Sequence, residues 1–239
     1  MKIKVHHRCP EPKSYRAARV RSMFNCESGA NFIREFEIPF EDKGWKIGLV
    51  VGPSGSGKTS IGRALPCGIT DIRAGWATDK PIIDCIAPRA DSRRRKATVI
   101  DSAFIPAPAS VGLGDVPAWL RPFHVLSNGE QFRAGLARLI AEAPALAVVD
   151  EFSSVVDRQI ARIGSLAFGK SWRRTNGQCV LLSCHYDIAR WLRPDWIFDT
   201  AKGELTAGRC RARCGRSAMR RSTTRCSLRT WTGRSLPLA

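Results

Sequence analysis

The apolar run "WKIGLVV" (45–51) passes without a break into "GPSGSGKTS" (52–60), and this junction restricts the fold more than any other stretch of the chain. Seven residues rich in Ile, Leu and Val suit a strand buried on both faces, as in a parallel sheet. Gly52, Pro53, Ser54, Gly55, Ser56, Gly57, Lys58 and Thr59 match G-x-x-x-x-G-K-[ST], and Ser60 opens "SIGRAL", which can continue as a helix. Glycines let the backbone curl so that successive N–H groups face a phosphate. Lys58 supplies a point charge for the β and γ phosphates, and the Thr59 hydroxyl can ligate Mg²⁺. A strand, a phosphate loop and a helix in this order predict an α/β P-loop core that binds a nucleotide.

Two further apolar runs end in chemistry-bearing residues. "LAVVDEF" (146–152) reads as a strand that delivers Asp150 and Glu151 to the carboxyl edge of the same sheet. There Asp150 can hold Mg²⁺, and Glu151 can orient or deprotonate an attacking water. "VLLSCHYD" (180–187) is a third strand followed at once by His185, whose imidazole can donate to a γ-phosphate from that edge. Ahead of the core, "FIREFEIPF" (32–40) alternates apolar and polar residues as a half-buried strand does.

The remaining motif is "LSNGEQFRA" (126–134), a polar turn that runs into a helical pattern. With it the chain resembles the ABC-type ATPases. Gly52 to Thr59 resemble Walker A, Leu126 to Glu130 the LSGGQ or LSGGE signature, Asp150 and Glu151 Walker B, and His185 the switch histidine. "EFSSVVD" (151–157) is similar to the family's EPTSALD, making Asp157 the D-loop aspartate, and "WIFDTAKGEL" (196–205) resembles its closing strand, turn and strand.

The resemblance covers roughly residues 20–205 and implies an α/β P-loop NTPase core of ABC type, with a small helical subdomain (roughly 66–140) and an N-terminal antiparallel β portion. It also implies ATP and Mg²⁺ as cofactors and a homodimer formed on ATP binding. In that dimer Ser127, Asn128, Gly129 and Glu130 cap the ATP held by a facing subunit. Asn128 stands where the family has a glycine, and Asn tolerates a left-handed backbone better than most residues.

The chain also departs from the family pattern. No glutamine occurs between Thr59 and Glu130, so the Q-loop glutamine is missing. Asp84, closing "PIID" (81–84), is the candidate for its metal-facing role, with a plain loop aspartate as the alternative. Phe24, closing "ARVRSMF", is the candidate aromatic for stacking on adenine, with core packing as its alternative. Only 66 residues separate Thr59 from Leu126, too few for the long heptad insertions of coiled-coil repair ATPases. The chain also resembles stand-alone bacterial and phage ABC-type ATPases, some of them fused to an acetyltransferase domain. The expected role is ATP hydrolysis outside transport. A transporter subunit with a separate membrane partner and an ATP-gated module acting on a soluble or nucleic-acid partner are the alternatives.

Charge is distributed unevenly. Residues 209–239 carry nine arginines and no acidic residue, half of the net charge of +18. The ATP-binding domain is therefore expected over 1–206, and 207–239 is expected to be either a disordered basic tail or an ending read out of frame. "SRRRK" (92–96) reads as a solvated face, with a phosphate-backbone contact on nucleic acid as the alternative. The N-terminus lacks the apolar stretch of a secretory signal and no run approaches ~18 apolar residues, so a cytoplasmic protein is expected. Nine cysteines without a CxxC pair suggest neither a disulfide framework nor a zinc site.

Overall fold

The computed structural model describes residues 2–8, 13–25, 31–37, 44–86 and 106–208. "SRRRK" and the arginine-rich stretch from 209 onward lie outside these residues.

Fifteen elements order the described chain: β1 (Lys2–Arg8), α1 (Tyr15–Phe24), β2 (Asn31–Glu37), β3 (Ile47–Val51), α2 (Lys58–Ala64), α3 (Ile82–Cys85), α4 (Pro106–Ser110), α5 (Val116–Trp119), α6 (Asn128–Glu142), β4 (Leu146–Val149), α7 (Arg158–Trp172), β5 (Gln178–Ser183), α8 (Ile188–Leu192), β6 (Trp196–Asp199) and β7 (Glu204–Ala207). β1 and β2 form a separate antiparallel hairpin, with Ile3 opposite Phe36 and Val5 opposite Arg34. The main sheet has the order β4-β5-β3-β6-β7. Its first four strands are parallel, and β7 is antiparallel to β6. The closing strand reaches Ala207, one residue past the expected domain end.

Parallel strands bury both faces, which explains the unbroken apolar runs read from the sequence. Along β3 the side chains alternate between two cores. Ile47, Leu49 and Val51 join Phe132, Leu136, Phe168 and Trp172 on the face covered by α6 and α7. Val50 joins Ile61, Leu65 and Phe198 on the other face, with Ile3, Val5 and Phe36 of the hairpin. Phe36 meets Phe198 edge-on at 5.4 Å, which seats the hairpin on the sheet. A file of aromatic rings, Phe132, Phe152, Phe168 and Trp172, runs through the first core with successive centroid steps of 5.4, 6.1 and 5.5 Å.

Two networks brace the sheet at the amino end of β3. Asp195 Oδ2 accepts from the N–H groups of Lys46 (2.8 Å) and Ile47 (2.9 Å) and pairs with Arg173 at 3.2 Å. Lys46 Nζ donates to Thr175 O at 2.8 Å. No helix among the described residues is long and apolar enough to cross a membrane.

Candidate phosphate-binding site

All four parallel strands end on one edge of the sheet, and each delivers a functional group there. β3 leads into the glycine-rich loop, β4 into Asp150 and Glu151, β5 into Cys184 and His185, and β6 into Thr200. Open sheets of this kind bind ligands outside the carboxyl ends of their strands.

A cavity of about 470 Å³ opens there, lined by Ser54, Gly55, Gly57, Lys58, Thr59, Ser60, Asp150, Glu151, Ser154 and Cys184. The glycine-rich loop and the Asp150–Glu151 pair therefore share one chamber, although some ninety residues separate them in sequence. Gly55 and Gly57 have φ of 77° and 92°, values that side chains resist and glycine accepts, so the loop can wrap its N–H groups toward an anion. Lys58 Nζ donates to Gly52 O (2.9 Å) and Pro53 O (2.7 Å), which holds the ammonium across the mouth of the loop. Thr59 and Asp150 face the same space, and a hydroxyl and a carboxylate there suit the oxygen preference of Mg²⁺. Among the described residues no cluster of three or more His, Cys, Asp or Glu side chains could form a metal cage by itself. Such a cation would be held by Thr59, Asp150 and phosphate oxygens, the usual Mg²⁺ arrangement at nucleotides.

Glu151 follows β4 in a left-handed conformation (φ 49°), as does Ser153 (φ 64°). Buried anchors impose this turn: Phe152 N–H donates to Leu182 O at 2.8 Å, and the buried Ser183 hydroxyl donates to Phe152 O at 3.1 Å. The Ser183 oxygen in turn accepts from His185 N–H at 3.1 Å, so one hydroxyl ties the Glu151 turn to the histidine turn. His185 is half-buried beside Cys184 but does not line the cavity wall. Asp187 pairs with Arg158 of α7. Burial pushes the Asp187 carboxyl up, but the Arg158 guanidinium outweighs it and holds the group below its ordinary value.

Ser127, Asn128, Gly129 and Glu130 lie at the start of α6 and do not line this cavity. Ser127 caps the helix. Asn128 is its first residue and has no positive φ, so the left-handed tolerance expected of it is not used. Gly129 packs closely against α7: a Cβ there would come within 2.6 Å of Ile160 Cδ1, whose side chain would have to shift. Asp157 caps α7, its Oδ1 accepting from Gln159 and Ile160 N–H, each at 2.9 Å.

Two candidates lie away from the cavity. Asp84 is exposed on the short helix α3, outside the residues lining the phosphate cavity. Phe24 is 69% exposed at the end of α1, a helix with no buried residue, so core packing does not account for it. Sequence reasoning missed Ser154 and Cys184, which line the cavity, and Ser183 and Thr200, which brace it from below. Their only sequence signal is a position at or soon after a strand end.

No family model matches the chain. It is 29% identical over 182 residues to the cytochrome c biogenesis ATP-binding export protein CcmA of Pseudomonas syringae pv. tomato, covering 64% of this chain and 82% of that protein. It is 30% identical over 137 residues to the 2-aminoethylphosphonate import ATP-binding protein PhnT of Salmonella typhimurium, covering 46% of this chain and 37% of that protein. Among solved structures, the ATP-binding cassette MJ0796 in a dimeric post-hydrolysis state with ADP and Pi matches with a TM-score of 0.57 at 14% identity. That match covers 77% of this chain and 95% of the cassette. A second dimeric structure of MJ0796, a bacterial ABC transporter cassette, matches with a TM-score of 0.54 at 13% identity, over 72% of this chain and 88% of that one. The likeness in fold is to ABC cassettes.

Proposed function

We infer that this chain, an ABC-type ATPase, hydrolyses ATP at two composite sites of a head-to-tail homodimer. The observation that carries this reading is a division of labour within one chain. Ser54, Gly55, Gly57 to Ser60, Asp150 and Glu151 line one cavity, while the Ser127 turn stands outside it with a helix N-terminus of its own. A facing copy can bring that turn to the open side of the γ-phosphate, where Ser127 and the N–H of Gly129 would stabilise negative charge. Lys58 neutralises phosphate, Thr59 and Asp150 hold Mg²⁺, Glu151 takes or steers the proton of the attacking water, and His185 contacts the γ-phosphate once the site closes. When bound, Mg²⁺ supplies charge neutralisation between the phosphates. The dimeric cassettes that resemble the fold support the pairing.

The similar proteins are an export and an import ATP-binding protein, so a membrane-embedded partner deserves more weight than the sequence motifs alone suggest. The absence of a glutamine between Thr59 and Glu130 favours a second reading, a cytoplasmic ATPase that drives a soluble partner. Affinity purification from native membranes and from cytosol, with and without ATP, separates the two. An integral membrane protein retained with ATP supports transport, and recovery only with soluble protein supports the second reading. The dimer itself is tested by the mass of Glu151→Gln in Mg·ATP.

A further inference from the structure

Ser56 differs from its neighbours in the glycine-rich loop. Ser54, Gly55, Gly57, Lys58, Thr59 and Ser60 line the phosphate cavity, whereas the Ser56 side chain turns the other way and meets Thr200, with the two hydroxyl oxygens 2.6 Å apart. Thr200 lies 144 residues further along, immediately after β6, and is 1% exposed.

The direction of these bonds follows from what each group can do. Thr200 Oγ1 lies 3.1 Å from Val51 O, and a carbonyl only accepts, so the Thr200 hydroxyl donates to Val51. Its oxygen is then the acceptor, and the Ser56 hydroxyl must donate to it. Thr200 N–H also donates to Val51 O at 2.8 Å, so both polar groups of Thr200 grip the last residue of β3. Gly52 completes the contact. Its φ is 155°, and a Cβ there would come within 1.9 Å of Thr200 Oγ1, so the first loop glycine exists partly to make room for this hydroxyl.

We propose that Thr200 is a positioning residue for nucleotide binding, which sets the phosphate loop in its anion-receiving curve through the Ser56 hydroxyl before a nucleotide arrives. The proposal rests on the reading of Gly52 to Ser60 as the ATP site. A loop already curved loses less conformational freedom on binding, so the benefit appears in affinity. Thr200 is buried and does not line the phosphate cavity, so the chemical step does not depend on it.

The test uses the full chain with Thr200→Val, which keeps shape and removes the hydroxyl, Thr200→Ser, which keeps the hydroxyl, Ser56→Ala, and the Ser56→Ala/Thr200→Val double variant. KM and kcat are measured with Mg·ATP, Kd with a non-hydrolysable ATP analogue, and melting temperature without nucleotide. Thr200→Val is expected to raise Kd and KM about 2- to 10-fold, the worth of one net hydrogen bond, with kcat retained. Thr200→Ser should recover the wild-type Kd, and the double variant should bind no more weakly than Ser56→Ala alone. Should Thr200→Val melt below the assay temperature, Ser56→Ala and Thr200→Ser carry the test. An unchanged Kd in both Thr200→Val and Ser56→Ala overturns the proposal, as does a loss confined to kcat, or full additivity of the two substitutions. Lys58→Ala separates the premises. If it binds the analogue as wild type does, the loop is not the ATP site; if it fails to bind while Thr200→Val binds normally, only the role of Thr200 falls.

Discussion

Ser127 and Glu130 hold each other through three hydrogen bonds. The Ser127 hydroxyl and N–H donate to Glu130 Oε2 at 2.7 and 2.8 Å, and Glu130 N–H donates back to Ser127 Oγ at 3.3 Å. This capping box leaves the Ser127 donors on a carboxylate of their own helix, the same kind of partner that a γ-phosphate would be. The hydroxyl and then the N–H of Ser127 hold the Glu130 carboxyl below its ordinary value. In the proposed dimer, a nucleotide on a facing copy would therefore compete with Glu130 for Ser127.

Substitution at Ser127 should damage the facing site while sparing its own. Ser127→Arg is expected to leave ATP binding to a monomer intact and to abolish dimerisation and turnover, with about 1 kcal/mol lost from the helix cap. Mixing Ser127→Arg with Lys58→Ala chains should restore part of the activity, because one composite site per heterodimer is then whole. Loss of monomer ATP affinity in Ser127→Arg would place the serine in its own site instead.

Lys58 has its ammonium on Gly52 O and Pro53 O, ready to be taken over by phosphate. Lys58→Ala removes the only lysine that lines the cavity among the described residues, so nucleotide binding should weaken and hydrolysis should vanish. Phosphate release by the purified variant at the wild-type rate would refute the site.

Glu151 and Asp150 should separate in their effects. Glu151→Gln keeps Mg·ATP binding but loses the proton acceptor, so turnover should fall by about 10² to 10⁴. If hydrolysis dissolves the proposed dimer, the variant should accumulate with doubled mass in light scattering. A monomer under saturating ATP would sink the head-to-tail mechanism.

Asp195 gives the fold a pH dependence. Burial pushes its carboxyl up, but the N–H groups of Ile47 and Lys46 and the Arg173 guanidinium outweigh that and hold it below its ordinary value. A carboxyl lowered in the folded state adds stability that is complete above its unfolded value of ~3.9 and is lost as pH falls through the folded one. Asp195→Asn should therefore lower the melting temperature at neutral pH and flatten its decline below about pH 4. Parallel acid-melting curves for both proteins would exclude this role.

Gly129 is legible as a signature glycine, yet the side chain it packs against, Ile160, lies on another helix, α7. The phosphate loop and the Asp150–Glu151 pair could be read from sequence because anion and metal chemistry needs several residue types within one short stretch. The buried strands were legible because a parallel sheet demands apolar runs. Thr200 and Ser183 were not, since a single hydroxyl after a strand has no pattern and acquires its partner only when distant segments meet. The role of Asp84 was not legible either, since a single exposed aspartate on a four-residue helix carries no pattern.

The left-handed backbone at Glu151 sets two selective pressures against each other. For a side chain bearing a Cβ this conformation costs roughly 1 kcal/mol, and glycine or asparagine adopts it more readily. A population screened for heat tolerance alone should therefore enrich Glu151→Gly, trading the carboxylate for a relaxed turn and yielding a tougher but idle molecule. A screen that also demands ATP turnover should keep glutamate and seek its gains elsewhere. The identity of residue 151 among the survivors would thus record which demand the screen imposed.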